Sequence, residues 1–271
     1  MIIVITRLLS LSFLVFFAIT TGSFAQGEID DQPKVFFRNE RTWSGSLVSN
    51  GWSVNYRFAK RINAFSSYFI DADLASIRHP KEIESYSLYK SGWGRTFVFG
   101  KLNEAFVIRG GMGYQKELFE KLDLGGISIR YFTGGGLSLA FLEPIYYLKI
   151  TKFDSATHFP EVWEPSLFDP GYMQDPYYIL DKEAFWVGLD ETTVLPGLYA
   201  RGGLCFEFSA EDRVINAIEG GIQVEGFLKK LPIMAIENNK QLFVSLFATY
   251  RFGKVVDARR LKQSPVPGRH I

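Results

Sequence analysis

The chain has 271 residues, with 30 Lys and Arg against 29 Asp and Glu, for a formal net charge of +1. That balance excludes the strong positive field of a nucleic-acid binder. One cysteine, Cys205, excludes a domain stapled by internal disulfides, while 16% Phe, Tyr and Trp suits a protein with aromatic girdles at two interfaces.

The chain opens on an export signal. Arg7 supplies a short positive region, Leu8 to Ile19 is almost unbroken apolar sequence, and Ser23-Phe24-Ala25 offers small residues at −3 and −1 of a cleavage site. The run is shorter than the ~20 residues a spanning helix needs. No cysteine follows it, which argues against lipoprotein processing. The expected organisation is a signal peptide at 1–25, a periplasmic segment at 26–40, a barrel at 41–252 and a disordered periplasmic tail at 253–271. Removing 25 of 271 residues leaves 246, enough for one barrel.

Beyond the signal no stretch of 18 apolar residues occurs, which excludes a helical membrane protein. What recurs is alternation, the period of a strand with two unlike faces. Trp52, Val54, Tyr56 and Phe58 oppose Ser53, Asn55 and Arg57. Ile127, Ile129 and Tyr131 oppose Ser128 and Arg130. Leu204, Phe206 and Phe208 oppose Cys205 and Glu207, and Ile218, Ile222 and Val224 oppose Glu219 and Gln223. In the last segment, Leu242 to Phe252, one parity is wholly apolar and ends in Tyr250 and Phe252. The other carries Phe243, Ser245, Phe247, Thr249 and Arg251. Apolar-out and polar-in is the pattern of a transmembrane barrel strand.

The expected fold is therefore all-β: an antiparallel up-and-down transmembrane barrel of about ten strands. They fall near 41–49, 51–60, 64–75, 94–101, 104–114, 124–132, 135–143, 198–209, 215–227 and 241–252. Short connections at Arg61-Ile62-Asn63, Leu102-Asn103, Thr133-Gly134 and Ala210 to Val214 are expected on the periplasmic side. Longer ones at 76–93, 115–123, 144–197 and 228–240 are expected outside. A soluble secreted β-sandwich is the competing architecture.

Several stretches resemble an uncharacterised family of Bacteroidota outer-membrane β-barrel proteins. They are Asn39-Glu40-Arg41-Thr42, Gly51 to Arg57, His79-Pro80-Lys81-Glu82-Ile83, Phe99-Gly100-Lys101-Leu102-Asn103, Gly125 to Phe132 and Leu231-Pro232-Ile233-Met234-Ala235. The resemblance implies a barrel in the Gram-negative cell outer membrane. It implies no activity and no site.

By parity the lumen should hold Arg57, Asp71, Asp73, Arg109, Arg130, Glu207, Glu219, Glu225 and Arg251. In a narrow barrel such charges either pair and lock the wall or form a selective eyelet for a small solute. Mixed signs and bulky arginines favour a plugged lumen, with a structural, adhesive or envelope-maintenance role. A narrow channel is the alternative, and an outer-membrane hydrolase the third reading.

The 144–197 loop carries acids and aromatics interleaved with prolines. It is expected to fold over the barrel mouth and to offer a surface to an extracellular ligand, carbohydrate or protein; its acids fit no calcium-loop spacing. His79 and His158, in expected external loops, are the only bases a hydrolase could use there, and no catalytic constellation surrounds them. Glycines at 110–114 and 134–136 match no phosphate loop. No cofactor or metal is expected, and no nucleic acid. The expected partners are outer-membrane lipid, lipopolysaccharide and the barrel-assembly machinery.

Overall fold

The computed structural model describes residues 39–86, 89, 96–121, 126–211, 213–235 and 238–256. The expected signal peptide at 1–25 lies outside the described residues, as do most of the 26–40 segment and the tail from 257.

Eight strands close into one antiparallel barrel. In chain order they are β1 (Asn39–Val48), β2 (Gly51–Arg61), β3 (Ser66–Ile77), then, past two short strands β4 (Glu84–Ser85) and β5 (Phe97–Val98), β6 (Asn103–Phe119) and β7 (Ser128–Pro144). Three strands follow outside the barrel: β8 (Tyr146–Phe153), β9 (Pro160–Leu167) and β10 (Ile179–Lys182). The wall resumes with β11 (Thr193–Glu207), β12 (Val214–Phe227) and β13 (Leu242–Val256). β13 pairs back onto β1 from Asn39↔Val256 to Val48↔Phe247, so the barrel has no free edge.

The count is eight, not ten, for two reasons. Within the expected strand 94–101 only Phe97–Val98 is extended among the described residues, and it pairs with Glu84–Ser85 outside the wall. The expected pair 124–132 and 135–143 is one strand, β7, which runs straight through Thr133-Gly134. Those glycines are not a turn. Gly134 and Gly136 have the inward parity, and their missing side chains leave room in the lumen. A Cβ on Gly113 opposite would overlap Phe69, and one on Gly111 would overlap the Tyr199 hydroxyl. The barrel also extends past its expected 41–252 limits at both ends, to Asn39 and Val256.

With eight strands, connections 62–65, 120–127 and 208–213 lie at the end that carries the strand termini Asn39 and Val256. Connections 49–50, 78–102, 145–192 and 228–241 lie at the opposite end. Residues 115–119 of the 115–123 segment, expected outside, thus belong to β6 at its terminus end. The two-residue turn at Ser49-Asn50 is tight: Gly51 adopts φ +152°, and a Cβ there would strike the Ser76 carbonyl.

Period-two alternation decides which face is which. On β13, Phe243, Ser245, Phe247, Thr249 and Arg251 are buried, while Leu242, Val244, Leu246, Tyr250 and Phe252 are exposed. The same inversion runs round the wall: Ile70, Met112, Leu137 and Leu198 point outward and are each more than 60% exposed. At the terminus end the outward positions are aromatic, with Trp43 against Tyr56 (4.9 Å between ring centroids) and Tyr68 against Tyr114 (5.6 Å).

Candidate functional site

The interior is filled in layers. At the end opposite the termini, Leu231, Ile233 and Met234 of the 228–241 connection turn inward and pack on Ile77, Val107, Ala140, Leu142, Phe227 and Phe243 of the wall. Backbone bonds pin this plug: Leu102 N donates to Ile233 O (2.8 Å), and Ala235 N to Gly100 O (2.8 Å).

Below the plug lie the charges. All nine charged residues expected in the lumen are buried there, none more than 6% exposed. Arg109 donates from Nε and Nη2 to both oxygens of Glu225 (2.8 and 2.7 Å) and from Nη1 to Asp73 (2.6 Å). Glu219 accepts from Arg57 Nη1 (3.0 Å) and from Arg251 Nε and Nη2 (2.6 and 3.0 Å). Arg251 also donates to Thr42 Oγ1 (3.0 Å) and Asn55 Oδ1 (3.3 Å). Asp71 accepts from the Tyr199 hydroxyl (3.0 Å) and pairs with Arg201 and with Arg57 (3.6 Å). The Arg57 guanidinium lies 4.0 Å from the Phe69 ring centroid and 5.2 Å from that of Phe132, so its faces meet aromatic quadrupoles. Arg130 pairs with Glu207 and with Glu40 (3.2 Å) nearer the terminus end, where Lys121 also reaches Glu207 (3.3 Å).

Arg201 is absent from the expected set. It shares its parity with Cys205 and Glu207 on β11, so counting back from Glu207 in twos finds it. With it, five arginines (57, 109, 130, 201 and 251) pair with five lumen carboxylates (71, 73, 207, 219 and 225), and Arg130 also with Glu40. Chemically the arrangement is a set of buried ion pairs, with Arg57 Nε, Asp73 Oδ1, Arg130 Nε and Arg201 Nε left without a hydrogen-bond partner among the described residues. Each carboxylate is held by a fixed guanidinium, which leaves little field for a passing ion. At the terminus end, Glu40, Arg61, Ser66, Gln115, Glu117 and Arg130 line a shallow recess.

The long connection forms a second structure, a folded cap rather than an unstructured loop. β8 pairs with β9 and β10 in a three-stranded sheet ordered β10-β8-β9. Its core is Ile145, Tyr147, Phe168, Met173 and Ile179 together with Phe97, with Phe99, Leu102 and Ala235 packed against it. The Tyr147 hydroxyl donates to the carbonyls of Val98 (2.9 Å) and Lys101 (2.8 Å), joining the cap to the 78–102 connection. Burial, reinforced by the Glu104 carboxylate, pushes that phenol above its ordinary range, so it stays a donor. The Leu231–Met234 plug fills the mouth, and the cap's core packs against Ala235 and Leu102 beside it. The cap's β10 edge also meets the outward side of β6: Glu104, at an outward position, accepts from Lys182 (3.2 Å) and from Lys101 (2.7 Å).

Among the described residues no group of three or more His, Cys, Asp or Glu side chains converges as a metal site. His79 is buried, its Nδ1 accepting from Lys81 N (3.2 Å), and His158 sits in the β8–β9 turn with φ +58°. The two belong to separate connections.

No protein-family model and no curated protein matches the chain, so the resemblance to a Bacteroidota family gains no support from them. Three solved structures are similar at low identity. Neisserial surface protein A (NspA) is 11% identical, covering 80% of this chain and 96% of its own, with a TM-score of 0.35. The N-terminal β-barrel domain of Pseudomonas aeruginosa OprF is 7% identical over 79% and 97%, with a TM-score of 0.31. Ail of Yersinia pestis, solved with the heparin analogue sucrose octasulfate, is 8% identical over 81% and 99%, with a TM-score of 0.36.

Proposed function

We propose that this chain is an integral outer-membrane barrel with a salt-bridged, non-conducting lumen, which displays a folded cap for a structural or adhesive role at the cell surface. One observation carries the reading: the polarity is inverted. Charges are paired inside, while the outward face of all eight strands is largely apolar, a distribution that water would penalise and lipid would favour. The outward apolar parity of β13 runs from Leu242 to Phe252, about the 9–11 residues a tilted strand needs to cross a bilayer. The export signal read at 1–25 supplies the route, and the partners that go with it are outer-membrane lipid, lipopolysaccharide and the barrel-assembly machinery. The cap is the surface open to an extracellular ligand.

Conductance tests the closed lumen. Purified protein in planar bilayers should show no steady current above background, because the plug and the ion pairs leave no continuous polar path. A reproducible ion-selective current in the wild type would overturn it and establish a narrow channel instead.

Sidedness is checked separately. The connections at the terminus end are the shorter set apart from Ser49-Asn50, the pattern of periplasmic turns. Protease added to intact cells should cut within 145–192 or not at all, while a tag after Ile271 stays protected. A surface-accessible tag would reverse the orientation.

A further inference from the structure

We propose that the 3-10 segment Phe185–Glu191 is a membrane foot, seating Phe185, Trp186, Val187 and Leu189 in the outer leaflet beside β6 and β7 and so tethering the cap to the bilayer. The proposal rests on the outer-membrane reading above.

The segment's place on the wall comes first. Phe106 of β6 has the outward parity and is in register with Phe141 of β7, which is in turn in register with Val194 of β11. The Phe185 ring meets Phe106 edge-on, 5.9 Å between centroids, so the segment lies on the outer face of the barrel. One register step towards mid-wall, Ile108 and Leu139 are again bare, 49% and 43% exposed. The foot therefore continues the barrel's own apolar exterior without a break. It is also held there. A Cβ on Gly188 would collide with the Pro144 carbonyl, so only glycine lets the segment lie flush against the end of β7. At its far end the Tyr146 hydroxyl donates to Glu191 Oε1 (2.8 Å).

Next is what the segment leaves uncovered. The cap has a separate apolar core, and none of these four side chains belongs to it. Instead Trp186 is 75% exposed, with Phe185, Val187 and Leu189 each between 41% and 47%. Four apolar side chains of seven consecutive residues, turned to water, would be a costly surface. Turned to the acyl–headgroup boundary they are favourable, and tryptophan is the residue most enriched at that depth. The wall itself shows the need. At the terminus end the strands carry an aromatic girdle through Trp43, Tyr56, Tyr68 and Tyr114. At the other end β6 and β7 place Phe106 and Phe141 outward but half-cover them, and the foot supplies the exposed aromatics in their stead. Lipid, rather than a protein partner, is the occupant because the patch is continuous with the barrel exterior.

Site-directed spin labelling tests this. In a Cys205→Ala background, Trp186→Cys, Leu246→Cys and Trp163→Cys are labelled with a nitroxide in dioleoylphosphatidylcholine vesicles. Accessibility to oxygen and to nickel-EDDA is then compared, with heat-modifiable gel mobility confirming that each barrel is folded. The label at 186 should show lipid-type accessibility at shallower depth than the one at 246, while the label at 163, on the cap's exposed β9, should be aqueous. If Trp186→Cys fails to fold, Leu189→Cys takes its place. An aqueous label at 186 or 189 with a lipid-exposed label at 246 would overturn the foot and leave the barrel reading intact. An aqueous label at 246 would overturn the barrel reading, and the foot with it.

Discussion

Glu219→Ala should lower the unfolding free energy of the barrel by on the order of 3–5 kcal/mol, the cost of breaking a buried ion pair from one side. Glu219 is the anion shared by Arg57 and Arg251, with contacts of 2.6 to 3.0 Å. Removing it leaves two guanidiniums in the same buried layer. Arg251 would keep only neutral partners, Thr42 and Asn55, and Arg57 only its longer pairing with Asp71 at 3.6 Å. Denaturant unfolding followed by tryptophan fluorescence, with heat-modifiable gel mobility as a second probe, reads the loss. Glu161→Ala on the cap is the control. Its ion pair with Lys152 is exposed, and surface substitutions of this kind stay within about 0.5 kcal/mol. A double variant, Arg57→Met with Glu219→Leu, should recover part of the stability, since apolar side chains can fill such a site without an unpaired charge. If Glu219→Ala unfolds no earlier than Glu161→Ala, the charges fill the lumen without locking it.

How much of this was legible beforehand depends on which kind of order is asked about. Inside and outside are set by a period of two, which survives any error in strand ends. One residue's parity fixes its neighbours'. That is why Arg57, Asp71 and Glu219 can be placed on one face without knowing which strands pair. Arg201 escapes because Arg201-Gly202-Gly203 interrupts the apolar alternation that marks Leu204 to Phe208. Strand number is harder. Thr133-Gly134-Gly135-Gly136 has the composition of a turn, and only the bulk of Phe69 and Tyr199, which lie over the glycines of β6 and β7 from the adjacent wall strands β3 and β11, explains why β7 runs through. The 94–101 stretch alternates well enough for a wall strand, yet Phe97 is used by the cap's core. The cap itself is not readable from local pattern. Its sheet depends on Ile145 and Tyr147 finding Phe97 and Phe168, contacts that loop-like composition, with Pro160, Pro165, Pro170 and Pro176, conceals. The Phe185–Glu191 foot is hidden for the same reason, since its apolar side chains gain meaning only beside Phe106.

Leu246→Arg should destabilise the barrel by roughly 2–4 kcal/mol if the residue lies near mid-membrane, the depth-dependent cost of a cation on a lipid face. Leu246 is 64% exposed on β13, in register with the equally outward Ile222 of β12, while its neighbour Phe247 points inward against Phe132. The size of the effect is what separates the environments. On a water-facing wall an exposed Leu→Arg change removes little packing and lies within about 0.5 kcal/mol of wild type. In lipid, the guanidinium must either lose its hydration or draw water and headgroups inward. The measurement is folded fraction and unfolding midpoint in vesicles, with Leu246→Ala as the comparison that removes the side chain without adding charge. Leu246→Arg should fall well below Leu246→Ala. Equal stability of the arginine variant and wild type would mean that this face meets water, and an apolar exterior 64% open at Leu246 and 66% open at Val244 would then need a protein partner to cover it.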